Sequence, residues 1–242
     1  MEWLAAGREA DVYVLGRNRV LRRYRDGRAV ADEVSLMSWL RDAGFPVPQV
    51  FPSRGDALVM ERIEGPTLAQ AIIAGICEAE DAGRLMAALH DRLHALDASA
   101  APVPVEGRLG ERTLLHLDLH PLNVLLRGGD PADPVVIDWT NAALGTAGLD
   151  VALSAVIMGQ VALAPESAGL VAREVGRRLR EYLAGFLTGV AAAAVPHLES
   201  AARRRSADPN LTEAELATVA HAAELVRLLA EGRDSVIEQP RG

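Results

Sequence analysis

The sequence changes character once, at Gly65-Pro66-Thr67, and that change limits the folds open to it. Upstream, short runs of β-formers alternate with turn signals: Asp11-Val12-Tyr13-Val14-Leu15, Arg19-Val20-Leu21-Arg22-Arg23-Tyr24 and Ala57-Leu58-Val59-Met60. Such runs predict antiparallel strands. One helix interrupts them over Ala29 to Ala43, where Val30, Val34, Met37 and Leu40 recur at helical spacing and Gly44 ends the run. Phe45-Pro46-Val47-Pro48 then forces an extended return. Downstream, Leu68 to Gly75 and Glu78 to Leu96 are alanine-rich with helical periodicity, and Ala98 to Gly107, with Pro102 and Pro104, reads as a loop. Thr113 to Leu126 and Pro134 to Trp139 are short apolar segments that embed polar residues. From Leu149 onward the pattern is helical. Leu170, Val171, Val175, Leu179, Leu183, Phe186 and Val190 keep one face, and Leu216, Val219, Ala223, Val226 and Leu229 keep another. No fixed-period repeat occurs. The expectation is an α+β chain, with a small N-terminal antiparallel sheet plus one helix followed by a larger, mostly helical part.

Composition removes several chemistries. All 25 positive residues among the 242 are arginine. Without lysine there is no Walker A phosphate loop, no lysine Schiff-base cofactor site and no lysine nucleophile. The single cysteine, Cys77, lies in an apolar helical stretch and reads as a small buried hydrophobe, which fits a reducing compartment. The N-terminus Met1-Glu2-Trp3-Leu4 has no basic region followed by an apolar run, and the longest apolar stretch, Val151 to Ala164, is broken by Ser154 and Gln160. We expect no signal peptide, no membrane span and a cytoplasmic location. A net charge of −8 argues against a nucleic-acid partner and favours a cationic small substrate. The Arg203-Arg204-Arg205 run reads as a solvated helix end.

The informative segment is His116-Leu117-Asp118-Leu119-His120-Pro121-Leu122-Asn123-Val124-Leu125-Leu126, followed by Val135-Val136-Ile137-Asp138-Trp139, with Asp138 fifteen residues after Asn123. Two aspartates and an asparagine at this spacing supply three oxygen donors where a hydroxyl and a hard cation can meet. Phosphoryl transfer needs those types. One carboxylate takes or orients the proton of the attacking hydroxyl, while a carboxylate and an amide oxygen hold Mg²⁺ against the phosphates.

His-x-Asp-x-x-x-x-Asn followed by Ile-Asp-Trp resembles the aminoglycoside phosphotransferase and choline kinase-like family, whose fold is similar to that of protein kinases. His120-Pro121, Leu89-His90, Leu93-His94-Ala95-Leu96 and Gly148-Leu149-Asp150-Val151-Ala152 resemble that family's usual surroundings. The resemblance implies a two-lobed kinase-like fold. An N-terminal nucleotide-covering lobe would span 1–64 with a hinge near 60–66, and a helical C-terminal lobe 67–242. The latter would hold the catalytic loop at 116–126, the metal segment at 135–139 and substrate-side helices within 149–242. It implies Asp118 as catalytic base, Asn123 and Asp138 as Mg²⁺ ligands, and His116 and Asp150 as supports of the loop. Trp139 would pack to position Asp138. Gly7-Arg8-Glu9-Ala10-Asp11-Val12-Tyr13 is similar to the phosphate-facing turn, Arg22 stands where the family usually has lysine, and Glu33 would pair with it, bidentate to the guanidinium. The main chains of Glu61 and Ile63 would meet the adenine edge.

Two positions depart from the family pattern: Arg22 for lysine, and Leu117 where glycine is usual, a bulky side chain that would shift the loop or narrow the substrate entrance. The leading function is a small-molecule kinase using Mg²⁺ and ATP or GTP on the hydroxyl of an aminoglycoside-like compound or amino alcohol. The alternative is a nucleotide-binding pseudokinase or regulatory module. A kinase acting on protein ranks below both, because only eleven residues separate Asp138 from Asp150, too few for a peptide-docking segment. The sequence leaves the oligomeric state open.

Overall fold

The computed structural model describes residues 2–6, 9–104, 112–163 and 170–233. The expected Gly7-Arg8 turn, the end of the loop at Gly107 and the side chains of Leu170 and Val171 fall outside that description.

Five antiparallel strands open the chain: β1 (Glu2–Ala6), β2 (Ala10–Val14), β3 (Arg19–Tyr24), β4 (Val50–Arg54) and β5 (Ala57–Glu61), in the spatial order β1-β2-β3-β5-β4. In β3, Val20 faces Val14 and Met60, and Arg22 faces Val12 and Leu58, so the central strand is fixed from both sides. β1 and β4 were not legible in the sequence, because a short edge strand carrying a proline or few β-branched residues has no clear period-two signal. Helix α1 (Ala31–Asp42) lies between β3 and β4. Glu33, Leu36, Met37 and Leu40 are its buried residues, a spacing of three, four and seven that makes one face. Asp32 and Glu33 in the first turn and Arg41 in the last suit the helix dipole. Gly44, at φ +78°, ends it in a conformation that favours glycine.

The connection to the helical part is held by its backbone. Leu126 N–H donates to the Pro66 carbonyl at 2.9 Å and Gly128 N–H to that of Glu64 at 2.7 Å. At Gly65, a Cβ would come within 1.8 Å of the Leu126 carbonyl oxygen, so only glycine fits this crossing. Thr67 then starts α2 (Leu68–Ile73) with a reciprocal capping box to Gln70.

In the helical part, α3 (Ala79–His94), α4 (Ala147–Ala162), α5 (Leu170–Ala194), α6 (Leu198–Ser206) and α7 (Glu213–Ala230) pack around α4, which is buried along most of its length. Helices α3 and α5 approach backbone to backbone. A Cβ on Gly83 would sit 2.1 Å from the Tyr182 carbonyl, and one on Gly185 2.1 Å from that of Glu80. Two small ribbons carry the site: β6 (Thr113–Leu115) with β9 (Ala143–Gly145), and β7 (Val124–Leu126) with β8 (Pro134–Val136).

Two expectations about the helices need correction. Helix α7 buries Val219, Ala222, Leu225 and Val226, while Leu216 is exposed. Of the expected stripe, Val219 and Val226 are buried and Ala223 and Leu229 pack partly buried against the core, so the contact face departs from it at Leu216 and by taking in Ala222 and Leu225. Nor is the 203–205 run wholly solvated: Arg205 donates from Nε to Gln160 Oε1 at 2.8 Å and from Nη1 to Asp208 at 2.8 Å, tying α6 to α4.

Candidate active site

The loop after β6 turns sharply at Leu117, whose φ of +62° lies in the left-handed region. Asp150, in the first turn of α4, holds that turn. Its Oδ1 accepts the Leu117 N–H at 2.7 Å, and its Oδ2 accepts the His116 N–H at 3.2 Å and His94 Nε2 at 2.9 Å. Burial works to raise the Asp150 pKa, but His94, His90 and the Leu117 amide outweigh it and hold the carboxyl at about 2. The Leu117 side chain is buried, so it does not project into an entrance. Its bulk goes to the core, which corrects the expectation drawn from the missing glycine.

His116 joins the two polar segments. Its Nδ1 accepts the Asp118 N–H at 3.3 Å, which leaves Nε2 to donate to the Ile137 carbonyl at 3.1 Å. Burial lowers its pKa, so the ring is neutral, as that tautomer requires. Trp139 completes the support: its ring packs 4.6 Å from His116 and edge-on to Phe45, and its Nε1 donates to Val136.

Asp118 is half-buried on this loop. Asn123 Nδ2 donates to its carbonyl at 2.9 Å and lies 3.4 Å from Oδ2, while His120 Nε2 is 3.5 Å from Oδ1. The amide nitrogen of Asn123 is thus committed to the loop, and its Oδ1 accepts no hydrogen bond among the described residues. Asp138 sits at φ +67° after β8. Its Oδ1 takes Arg22 Nη2 at 2.7 Å and Thr140 Oγ1 at 2.9 Å; its Oδ2 receives no hydrogen bond among the described residues. Burial would raise its pKa, but Arg22 and Thr140 overcome that and lower it, so it stays ionised.

Arg22 reaches this carboxylate from β3. The expected bidentate pair with Glu33 does not form: one nitrogen contacts Glu33 Oε1 at 3.3 Å, and the other goes to Asp138. A planar guanidinium has two forks and finds a carboxylate for each. Glu33 Oε2 instead accepts the Tyr24 hydroxyl at 2.5 Å, and that hydroxyl is also 3.0 Å from Thr140 Oγ1. Burial raises the Glu33 pKa, with Arg22 and Tyr24 only partly opposing it. Tyr24 and Thr140 escaped the sequence reading. Period two along β3 puts Tyr24 on the face of Arg22, and that alternation was the available signal.

At the joint between sheet and helices, the Glu61 N–H donates to the Gln49 carbonyl at 2.7 Å and its side chain takes Arg127 at 2.7 Å. The Ile63 main chain makes no hydrogen bond among the described residues. Of the two expected adenine-edge residues, Ile63 is free at both backbone groups and Glu61 has its amide already engaged.

A five-stranded sheet with one helix, set over a helical part and meeting it at Arg22 and Asp138, is the architecture of the kinase-like phosphotransferases. Comparison with known proteins agrees. The ADP-bound crystal structure of aminoglycoside phosphotransferase APH(2'')-Ib matches with a TM-score of 0.57 at 13% identity, covering 95% of this chain and 93% of that one. A putative aminoglycoside phosphotransferase from Ralstonia eutropha JMP134 gives 0.56 at 13% identity, over 96% and 92%. The streptomycin-ATP-APH(2")-IIa ternary complex gives 0.52 at 15% identity, over 89% and 92%. No curated protein sequence matches. The sequence itself matches the phosphotransferase enzyme family, APH, over residues 2–112 and 104–186, and the chain belongs to that family. It is a phosphotransferase. No helix among the described residues is long and apolar enough to cross a membrane.

Proposed function

We propose that the protein is a small-molecule kinase that transfers the γ-phosphoryl group of ATP or GTP to a substrate hydroxyl, with Asp118 as the base. What supports this reading most is that Asp118 and Asn123 share one loop, that its backbone bonds to the segment carrying Asp138, and that Asp138 meets Arg22 from the sheet. The substrate oxygen would attack the γ-phosphorus as the bond to the β-bridging oxygen breaks. The hydroxyl proton passes to Asp118, and the nucleoside diphosphate leaves. Arg22 would hold phosphate oxygens, and the free Ile63 backbone the base. The joint at 60–66 serves as hinge between a nucleotide-covering lobe over 1–64 and a substrate lobe over 67–242.

The donor set fits a divalent cation. Among the described residues the Asp138 Oδ2, on an ionised carboxylate, and the Asn123 Oδ1 accept no hydrogen bond, while the Asn123 amide nitrogen is committed to Asp118. These two would hold Mg²⁺, which supplies charge neutralisation on the phosphates. His116 and Asp150 keep the loop in place by bonds to backbone.

A cationic acceptor, an aminoglycoside-like compound or an amino alcohol, fits the net charge of −8 and the substrates named for the structural neighbours. A cytoplasmic site of action fits the nucleotide requirement. The eleven residues between Asp138 and Asp150 include β9, paired with β6, which leaves no span for docking a peptide. The test is thermal unfolding with and without Mg·ATP and Mg·GTP, followed by phosphoryl-transfer assays against aminoglycosides and amino alcohols. A magnesium-dependent rise in midpoint that Asp138→Asn abolishes is expected; a ligand at about 100 times its Kd adds roughly 2.7 kcal/mol. No shift at millimolar nucleotide with folded protein refutes the proposal.

A further inference from the structure

Five side chains close a loop of contacts between the two lobes: Arg22 to Glu33, Glu33 to Tyr24, Tyr24 to Thr140, Thr140 to Asp138, and Asp138 back to Arg22. The contacts are unequal. Arg22 lies 2.7 Å from Asp138 and 3.3 Å from Glu33, so the pull on the guanidinium is toward Asp138, a carboxylate with an oxygen aimed outward. A lysine ammonium would meet two carboxylates from one compact nitrogen, whereas the guanidinium meets them from two nitrogens held in a rigid, flat fork. An arginine at this position therefore brings a difficulty of its own: unless the two carboxylates are kept a set distance apart, it collapses onto one of them.

Tyr24 is built to keep them apart. Its hydroxyl touches Glu33 on one side and Thr140 on the other, and Thr140 in turn donates to the very oxygen of Asp138 that Arg22 uses. The Arg22 guanidinium carbon lies over its ring, 4.8 Å from the centroid, within reach of a cation-π contact. Tyr24 is only 2% exposed and its contact with Glu33 is buried, whereas Thr140 and Asp138 at the other end of the loop are partly open to solvent.

We propose that Tyr24 is a positioning residue for phosphoryl transfer, whose hydroxyl sets the spacing of Glu33 and Asp138 and so keeps Arg22 shared between them and available to nucleotide phosphates. It touches no reacting atom and acts through Arg22. The proposal rests on the kinase reading above.

Its test is a double-mutant cycle. Tyr24→Phe keeps the ring and removes the hydroxyl, and Arg22→Lys removes the fork; Mg·ADP affinity is measured by calorimetry in the parent, both single variants and the double. In the parent background Tyr24→Phe should weaken Mg·ADP by about tenfold, whereas in the Arg22→Lys background it should change affinity by less than about twofold. Nitrogen-15 spectra of the arginine side chains, with Arg22 assigned through its lysine variant, give a readout that needs no nucleotide. Slow guanidinium rotation in the parent should become fast in Tyr24→Phe. Equal losses in both backgrounds, or unchanged Arg22 rotation, overturn the proposal and leave Tyr24 as packing. Absence of Mg·ADP binding by the parent would instead remove the kinase reading, while the rotation data still decide whether Tyr24 fixes Arg22.

Discussion

The left-handed backbone at Leu117 gives a prediction with a built-in control. At φ +62° an L-residue carries roughly 1–2 kcal/mol of strain that glycine does not. Leu117 tolerates it because its side chain is buried and both amides of the turn are held by Asp150. Truncation to alanine removes the burial and keeps the strain, at a cost of about 2–5 kcal/mol. Truncation to glycine removes the burial and relieves the strain. It adds about 0.5–1 kcal/mol of backbone entropy and loses one buried methyl, about 0.8 kcal/mol. The two offsets nearly cancel, so Leu117→Gly should match Leu117→Ala within about 0.5 kcal/mol. Leu115, two residues earlier and fully buried, has ordinary strand geometry. There the same pair has no strain to relieve, and Leu115→Gly should fall below Leu115→Ala by about 1.5 kcal/mol. Urea unfolding of the four variants measures the difference between the gaps, expected at 1–2 kcal/mol. Equal gaps at the two positions would refute the idea that strain is stored at this turn.

Other expectations follow from single groups. Asp118→Asn should bind Mg·ATP as the parent does and lose transfer to any acceptor found by about 10²–10⁴-fold, measured as kcat. His90 is fully buried, which depresses its pKa to about 4 against the nearby pull of Asp150. The unfolded chain takes up that proton near pH 6.5, so the stability it contributes is complete above pH 6.5 and is lost as pH falls toward 4. Urea midpoints across that range should drop in the parent and flatten in His90→Gln. Asp150, held at about 2, adds a second loss between roughly pH 4 and 2. The Tyr182 hydroxyl is buried in α5 without a hydrogen-bond partner among the described residues, so Tyr182→Phe should raise stability by about 1 kcal/mol, seen as a higher Tm; a lower Tm would mean that the hydroxyl has a partner.

What the sequence could show depended on whether a residue's role is local. The helices α1, α2 and α3 were readable because their apolar spacing, capping and stop signals lie within a few residues. Asp118, Asn123 and Asp138 were readable because chemistry fixes both their types and their spacing. The exposure of Leu216 and the burial of Ala222 and Leu225 in α7 were not, since which flank of an apolar stripe is buried depends on which helices meet it. The division of Arg22 between two carboxylates was likewise beyond reach, because Glu33 and Asp138 are joined to it only by the folded chain. Leu117 misled for a related reason: residue type signals bulk, whereas the direction of the side chain is decided by a backbone angle that Asp150 enforces from 33 residues away.

The arginine at the lobe interface also determines how this protein can be detected. Nucleotide analogues that transfer an acyl group to a nearby amine leave a permanent mark on sites where lysine meets the phosphates. Arg22, protonated at every accessible pH, does not accept an acyl group, and no lysine elsewhere in the sequence can take its place. If Arg22 meets nucleotide phosphates as proposed above, a proteome-wide survey that counts nucleotide sites by such tags will miss this one even when the site is filled. Dicarbonyl reagents, which condense with the two terminal nitrogens of a guanidinium, are the matching probe, and occupancy of the site would read out as protection of Arg22 from them.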